Sequence, residues 1–166
     1  MLTLYFAPGA SSMAPHIALH EIGVPFQAVP LSLRQQENRA AAYLALNPEG
    51  KVPTLLIDGR PLTEVAGILF YLARRFPDAG LLPADDLEAE AQVVSWMSFI
   101  AATIHPARRQ GVQRWTTVFG FAEQRFGDGE WVLGRYSIAD IHLFRLFWRF
   151  TRARVADAGA FPRLEA

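Results

Sequence analysis

The most informative chemistry in this sequence is offered by main-chain atoms. In the stretch Asn47-Pro48-Glu49-Gly50-Lys51-Val52-Pro53-Thr54-Leu55, Pro53 stands near the start of a run, Val52 to Ile57, with the character of a core strand. A residue with no N–H belongs there only on an edge or at a special backbone geometry. One such geometry is a cis Val52–Pro53 bond, which turns the chain and leaves the N–H and C=O of Val52 facing outward to pair with an extended peptide as one more strand. The other reading is a hairpin whose proline merely caps an edge. Side chains add a second set of candidates. Ser11 and Ser12 precede a helical pattern and can cap it. Glu64 opens another helix, where the positive end of the dipole favours an acid. His105, just before Pro106, either exchanges protons as a neutral imidazole or fills a helix end.

Composition limits what these groups can serve. There is no cysteine, which removes disulfides, thiolate metal sites and a cysteine nucleophile together. The 16 basic and 16 acidic residues cancel, so no electrostatic case exists for nucleic acid or an anionic membrane as partner. No His, Asp or Glu grouping has metal-ligand spacing, and no metal is expected. No stretch approaches the length of a transmembrane helix and the start lacks a signal-like pattern, so the cytoplasm is the expected location. At 166 residues, 51% of them hydrophobic, the chain can bury a sizeable core.

The elements that must position these residues follow from periodicity and punctuation. Met1 to Phe6 reads as a buried strand stopped by Ala7-Pro8-Gly9. A helix then runs to Gly23 with Pro15 in its first turn, and Phe26 to Leu31 is a second strand. Gln35 to Leu46 is alanine-rich and helical. Asp58-Gly59 is a two-residue hairpin signal between Val52 to Ile57 and the return strand at Pro61 to Thr63. Glu64 to Phe76 is a helix with Val65, Ile68, Leu69 and Leu72 on one face. The order βαβαββα gives a four-stranded mixed sheet in residues 1–79. A linker, 80–86, leads to an all-helical half, 87–166. There the longest helix is expected from Leu87 to about Arg109, with Val93, Trp96, Ile100 and Ile104 on one face and Pro106 kinking it or ending it early. A second helix spans Gly111 to Phe126 and a third follows Ser137 to about Arg152. Ser137-Ile138-Ala139-Asp140 has the spacing of a capping box, with Tyr136 and Ile141 as its hydrophobic staple.

Asn-Pro-x-Gly-x-Val-Pro-x-Leu followed by Leu62-Thr63-Glu64 resembles the amino-terminal, thioredoxin-like domain of the glutathione S-transferases. Trp131, Gly134 and the Ser137 to Asp140 box resemble the approach to the sixth helix of the same family. The likeness covers nearly the whole chain. Pro8-Gly9-Ala10-Ser11-Ser12-Met13-Ala14-Pro15-His16 is closest to the bacterial beta class, where a cysteine usually stands in place of Ser11. The resemblance implies a transferase that joins glutathione to a small apolar electrophile between the two halves, in detoxification, as a homodimer.

It also implies roles for individual residues. Val52 and Pro53 hold the cysteinyl backbone of glutathione; Glu64, with the Val65 N–H, holds its γ-glutamyl end; Gln35, with Arg34, lies where the family takes the glycine carboxylate. Ser11, or Ser12 as second candidate, donates to the thiolate, and His105 stands close to the sulfur. A thiol of pKa about 8.5 gains up to about tenfold in nucleophile per unit its pKa is lowered. Serine in place of cysteine removes any mixed disulfide with glutathione. Tyr5, His16 and His142 are expected to pack structurally, and Arg108 and Arg109 to form a solvated helix end or line a cleft. The chain stops soon after its last expected helix, where the family usually continues, so the helical half looks shortened. That departure, Val65 and the missing cysteine leave an alternative: a non-catalytic glutathione-binding or protein-interaction module on the same fold.

Overall fold

The computed structural model describes residues 1–83, 85–153 and 159–166. Ala84 of the expected linker and residues 154–158 of the expected helical half lie outside the described residues. Contacts divide the chain into two compact units, residues 1–79 and 80–166.

In the first unit, strand β1 (Leu2–Phe6) leads through helix α1 (Met13–Ile22) to β2 (Phe26–Pro30), paired parallel to β1 with Leu2 opposite Phe26. A parallel neighbour requires such a crossover. Gly23 ends α1 in the left-handed region, φ 73°, its N–H reaching the carbonyls of Leu19 and His20, a conformation that costs a side chain least when there is none. Strands β3 (Thr54–Ile57) and β4 (Arg60–Thr63) form the antiparallel hairpin. Asp58 and Gly59 both have positive φ, 49° and 82°, as the tight mirror-image hairpin turn demands. The sheet runs β2-β1-β3-β4, so Pro61 falls on an edge strand, where its missing N–H is tolerated. Helix α3 (Val65–Arg75) buries Val65, Ile68, Leu69 and Leu72, the face expected from their spacing. The sheet and its helices have the thioredoxin-like arrangement.

One expected helix is broken. Residues 35–46 form only a 3₁₀ turn, Glu37–Arg39, and a single helical turn, α2 (Ala41–Leu44). Side chains near its start engage the backbone instead: Glu37 accepts the N–H of Ser32 at 2.6 Å and Ser32 accepts the N–H of Gln35 at 3.2 Å. Gln36 is driven to φ 58°. Such local bonds compete with a helical ladder.

The second unit is helical among its described residues. Asp86 caps helix α4 (Leu87–Phe99), accepting the Ala89 N–H at 3.0 Å. Pro106 does not end the helical path. A π turn, Ile100–Ile104, carries it into the short α5 (His105–Ala107) and a 3₁₀ turn, Arg108–Gln110. The His105 N–H reaches the carbonyl of Ile100, five residues back, and this wider turn accommodates a proline that would crowd a regular helix. Val93, Trp96, Ile100 and Ile104 are all buried. Helix α6 (Val112–Arg125) and α7 (Ile138–Arg152) share an aromatic core in which Phe119 meets Phe147 at 5.4 Å and Phe150 at 4.6 Å between ring centres. A final turn, α8 (Pro162–Glu165), is not evident in the sequence pattern; Glu165 reaches back to the N–H of Gly159 at 2.8 Å and of Phe161 at 3.3 Å. No helix is long and apolar enough to cross a membrane among the described residues.

The capping box forms. Ser137 Oγ accepts the Ala139 N–H at 3.2 Å, and Asp140 accepts the Ser137 N–H and hydroxyl, each at 2.8 Å. Its other oxygen takes the Val132 N–H at 2.8 Å, a partner the box motif does not specify. Tyr136, expected to staple to Ile141, packs its ring on Trp131 at 4.9 Å. Burial raises the Asp140 pKa against these bonds, which lower it. Asp140→Ala strands two buried N–H groups and removes the reciprocal half of the box, and should cost about 3 kcal/mol in denaturant unfolding; a loss under about 1 kcal/mol would show that the box is incidental.

Candidate functional site

The first unit places Val52, Pro53, Ser11 and the start of α3 on one scaffold. The Val52–Pro53 bond is cis. What holds the loop before it is a set of side chains gathered on the Lys51 carbonyl: the Tyr43 hydroxyl donates to it, and so does Asn47 Nδ2 at 2.9 Å. Both also reach Thr54 Oγ1, at 2.9 and 3.2 Å. Asn47 Oδ1 accepts the Glu49 N–H at 3.2 Å, an Asx-type turn. Gly50, at φ 60°, receives Asn38 Nδ2 on its carbonyl at 2.7 Å, and a Cβ on it would stand 2.8 Å from the Asn38 carbonyl oxygen. The Asn-Pro-x-Gly spacing is thus explained by the turn it builds.

Only half of the Val52 expectation survives. Its N–H makes no hydrogen bond among the described residues, but its carbonyl accepts the Ser11 hydroxyl at 2.8 Å. The groups meet because Ser11 closes the loop before α1, while Val52 lies in the turn before β3. A carbonyl has two lone pairs, so one acceptor position is left. The Ser11 proton, expected to point at a thiolate, is committed to the chain itself. Ser12 is fully buried and spans the loop, accepting the Ala7 N–H at 3.0 Å and donating to the Ala7 carbonyl at 3.2 Å. It neither caps α1 nor presents a hydroxyl outward.

Glu64 is exposed and immediately precedes α3, with φ 66° and ψ 127°. A non-glycine residue is rarely held there without a reason, since the conformation costs about 1–3 kcal/mol. Val65 is buried by its side chain and heads the helix, so its N–H is among those without an intrahelical partner. Gln35 and Arg34 are exposed. The Tyr5 ring packs tilted against Tyr43 at 5.5 Å, and His16 packs between Phe6 and His20 at 4.8 and 5.0 Å, so both pack as expected.

The second unit holds a feature the sequence did not announce. His142 and Arg145, 1% and 3% exposed, lie one turn apart on α7, with Arg145 Nη2 3.5 Å from His142 Nε2. Neither Arg145 Nε nor His142 Nδ1 has a partner, and no carboxylate among the described residues pairs with this arginine. Burial lowers the Arg145 pKa to about 10, helped by the charges of Arg149 and Arg108. His105 is lowered to about 4, first by burial and then by Arg145, Arg109, Arg108 and Arg149. Burial, then Arg145 and His105, hold His142 well below the ordinary histidine range. His105 is therefore a neutral imidazole at pH 7. The spacing could have shown this: His142, Arg145 and Arg149 share a helix face at i, i+3 and i+7, but an arginine inside an apolar run reads as solvated unless its face is known. Among the described residues no three His, Asp or Glu side chains are grouped to hold a metal.

A four-stranded mixed sheet with a cis-proline turn, an open main-chain N–H beside it and a hydroxyl at the head of α1 defines a thioredoxin-like binding domain. Comparison with known proteins agrees. The family model for the glutathione S-transferase N-terminal domain matches residues 1–74. Glutathione S-transferase GstA of Escherichia coli O157:H7 is 31% identical, over 90% of this chain and 83% of its own. A maleylacetoacetate isomerase of Pseudomonas aeruginosa is 32% identical, over 93% of this chain and 82% of its own. A glutathione transferase homologue from Sulfitobacter, solved with bound glutathione, superposes with a TM-score of 0.91 at 34% identity, covering 99% of this chain and 89% of that one. The chain belongs to the glutathione S-transferase family.

Two consequences can be measured. Because a buried guanidinium without a carboxylate costs more than the packing of an apolar side chain, Arg145→Met should stabilise the fold by about 1–3 kcal/mol in denaturant unfolding. A destabilised variant would mean that the arginine is internally paired. The histidines bear on pH. Their folded pKa values lie below the unfolded value of about 6.5, so the unfolded chain binds more protons between the two, and stability rises with pH across that window. The unfolding midpoint should fall as pH drops from 6.5 toward 4, and less steeply in His105→Gln. Parallel profiles for the two proteins would refute the assignment.

Proposed function

We propose that this protein is a glutathione transferase that joins the glutathione sulfur to a small electrophile with an apolar body, as a cytoplasmic homodimer acting in detoxification. In this reading the first unit is the glutathione-binding domain. The Val52 N–H and the free lone pair of its carbonyl pair with the cysteinyl backbone against Pro53. Glu64 takes the γ-glutamyl ammonium, the Val65 N–H its carboxylate, and Gln35 the glycine carboxylate. Ser11 turns its hydroxyl from Val52 to the sulfur, stabilising the thiolate, and neutral His105 assists as donor or proton carrier. The thiolate forms a C–S bond as a leaving group such as chloride departs, and the thiol proton passes to solvent.

The observation that supports this most is the cis Val52–Pro53 turn with its open N–H beside the Ser11 hydroxyl. A second reading has its own support. Ser11 is already bonded to the main chain, and a hydroxyl that stays there leaves a glutathione-binding module without turnover.

Calorimetry with glutathione and turnover of 1-chloro-2,4-dinitrobenzene separate the two. The transferase reading expects both, with kcat at least about tenfold lower in Ser11→Ala, which is about 1.4 kcal/mol, and glutathione affinity little changed. Binding without turnover would leave the module; no binding would remove both readings. Sedimentation velocity tests the dimer, and a monomer at micromolar concentration would refute it.

A further inference from the structure

Apart from His105, the cationic cluster of the second unit has no counterpart in the chemistry assigned so far. Two helical segments supply it: α5 and the 3₁₀ turn after it carry His105, Arg108 and Arg109 at i, i+3 and i+4, and α7 carries His142, Arg145 and Arg149. Each of these residues that titrates abnormally does so first through burial and then under the positive charge of the others. Ordinary packing would place a carboxylate beside a guanidinium as buried as that of Arg145. None among the described residues pairs with Arg145, and two polar atoms at the bottom, Arg145 Nε and His142 Nδ1, stand unpartnered. Exposure is graded: Arg108 and Arg109 are exposed, His105 and Arg149 half-buried, His142 and Arg145 buried. The positive field on an anion therefore rises from the exposed pair toward the buried one, where the surroundings screen it least.

We propose that this cluster receives a carboxylate carried by the second substrate, so that the electrophile has an apolar body and one anionic group. The proposal rests on the transferase reading for the word substrate, but not for the binding itself. The planar fork of a guanidinium suits a carboxylate bidentately, and Arg145 has a free Nε–H to complete that fork. Leu146 and Phe147, which follow it in α7, are buried and apolar, which fits a carboxylate attached to an aromatic or aliphatic body. Glutathione has carboxylates too, and the test must tell the two sources apart.

The test is calorimetry on the full chain with unreactive 3,5-dinitrobenzoate and with uncharged 1,3-dinitrobenzene, each with and without saturating S-methylglutathione. The acid should bind at least about tenfold more tightly, equally well with the peptide present, and more weakly as salt rises. Arg108→Gln, at an exposed position, should reduce that preference severalfold and Arg145→Met should abolish it. If Arg145→Met does not fold, the Arg108 variant and the salt series decide. Equal affinity for the two compounds overturns the proposal, as does a preference that neither variant alters. Displacement of the acid by S-methylglutathione also overturns it, by assigning the cluster to the peptide. A protein that prefers the acid but turns over no electrophile refutes the transferase reading alone. Turnover without the preference refutes this proposal alone.

Discussion

The Lys51 carbonyl, gripped by the Tyr43 hydroxyl and the Asn47 amide together, is the fixed point of the first unit. The turn into β3 follows from it. With that oxygen held and Thr54 Oγ1 tied to the same two side chains, the chain between has only Val52 and Pro53 with which to turn into β3. Tyr43 is buried with Ala7 and Val52, with Tyr5 packed against them, so the polar grip is itself fastened to β1. Rigidity here matters because a strand-like partner is recognised by main-chain direction, and a loop free to rotate would lose ordering entropy on every encounter.

Helix α7 treats its two buried charges in opposite ways. Asp140 is 8% exposed, yet each carboxylate oxygen is occupied by donors from its own chain, and the result is a helix start that is closed and self-sufficient. Arg145 is more deeply buried and among the described residues has only a neutral imidazole at the limit of hydrogen-bonding distance. A satisfied ion inside a protein is explained by the fold that satisfies it. An unsatisfied one is a cost that folding alone does not justify, and that asymmetry is what separates an architectural group from one that awaits something.

Much of this was legible in the residues. The succession of strands and helices in the first unit, the hairpin at Asp58-Gly59 and the box at Ser137 to Asp140 depend on interactions within a few residues, and such patterns survive in sequence. The helix expected over 35–46 failed for a local reason as well, since Ser32 and Glu37 offered the backbone a competing set of bonds. The Ser11 to Val52 bond joins residues 41 apart, and no periodicity encodes it. His142 and Arg145 were hidden differently: their spacing was visible, but which side of α7 faces inward depends on the aromatic packing of Phe119, Phe147 and Phe150, which spacing alone does not orient.

The π turn at Ile100–Ile104 has a geometric implication for every residue after it. A π turn amounts to one surplus residue threaded into an otherwise regular coil, and each residue in such a coil advances the side-chain bearing by about 100°. His105, Arg108 and Arg109 therefore point where they do because of an insertion upstream of them, not because of anything in their own identity. A chain shortened by one residue between positions 100 and 104 would keep all three side chains and rotate the whole group about a quarter of the way around the axis, away from α7.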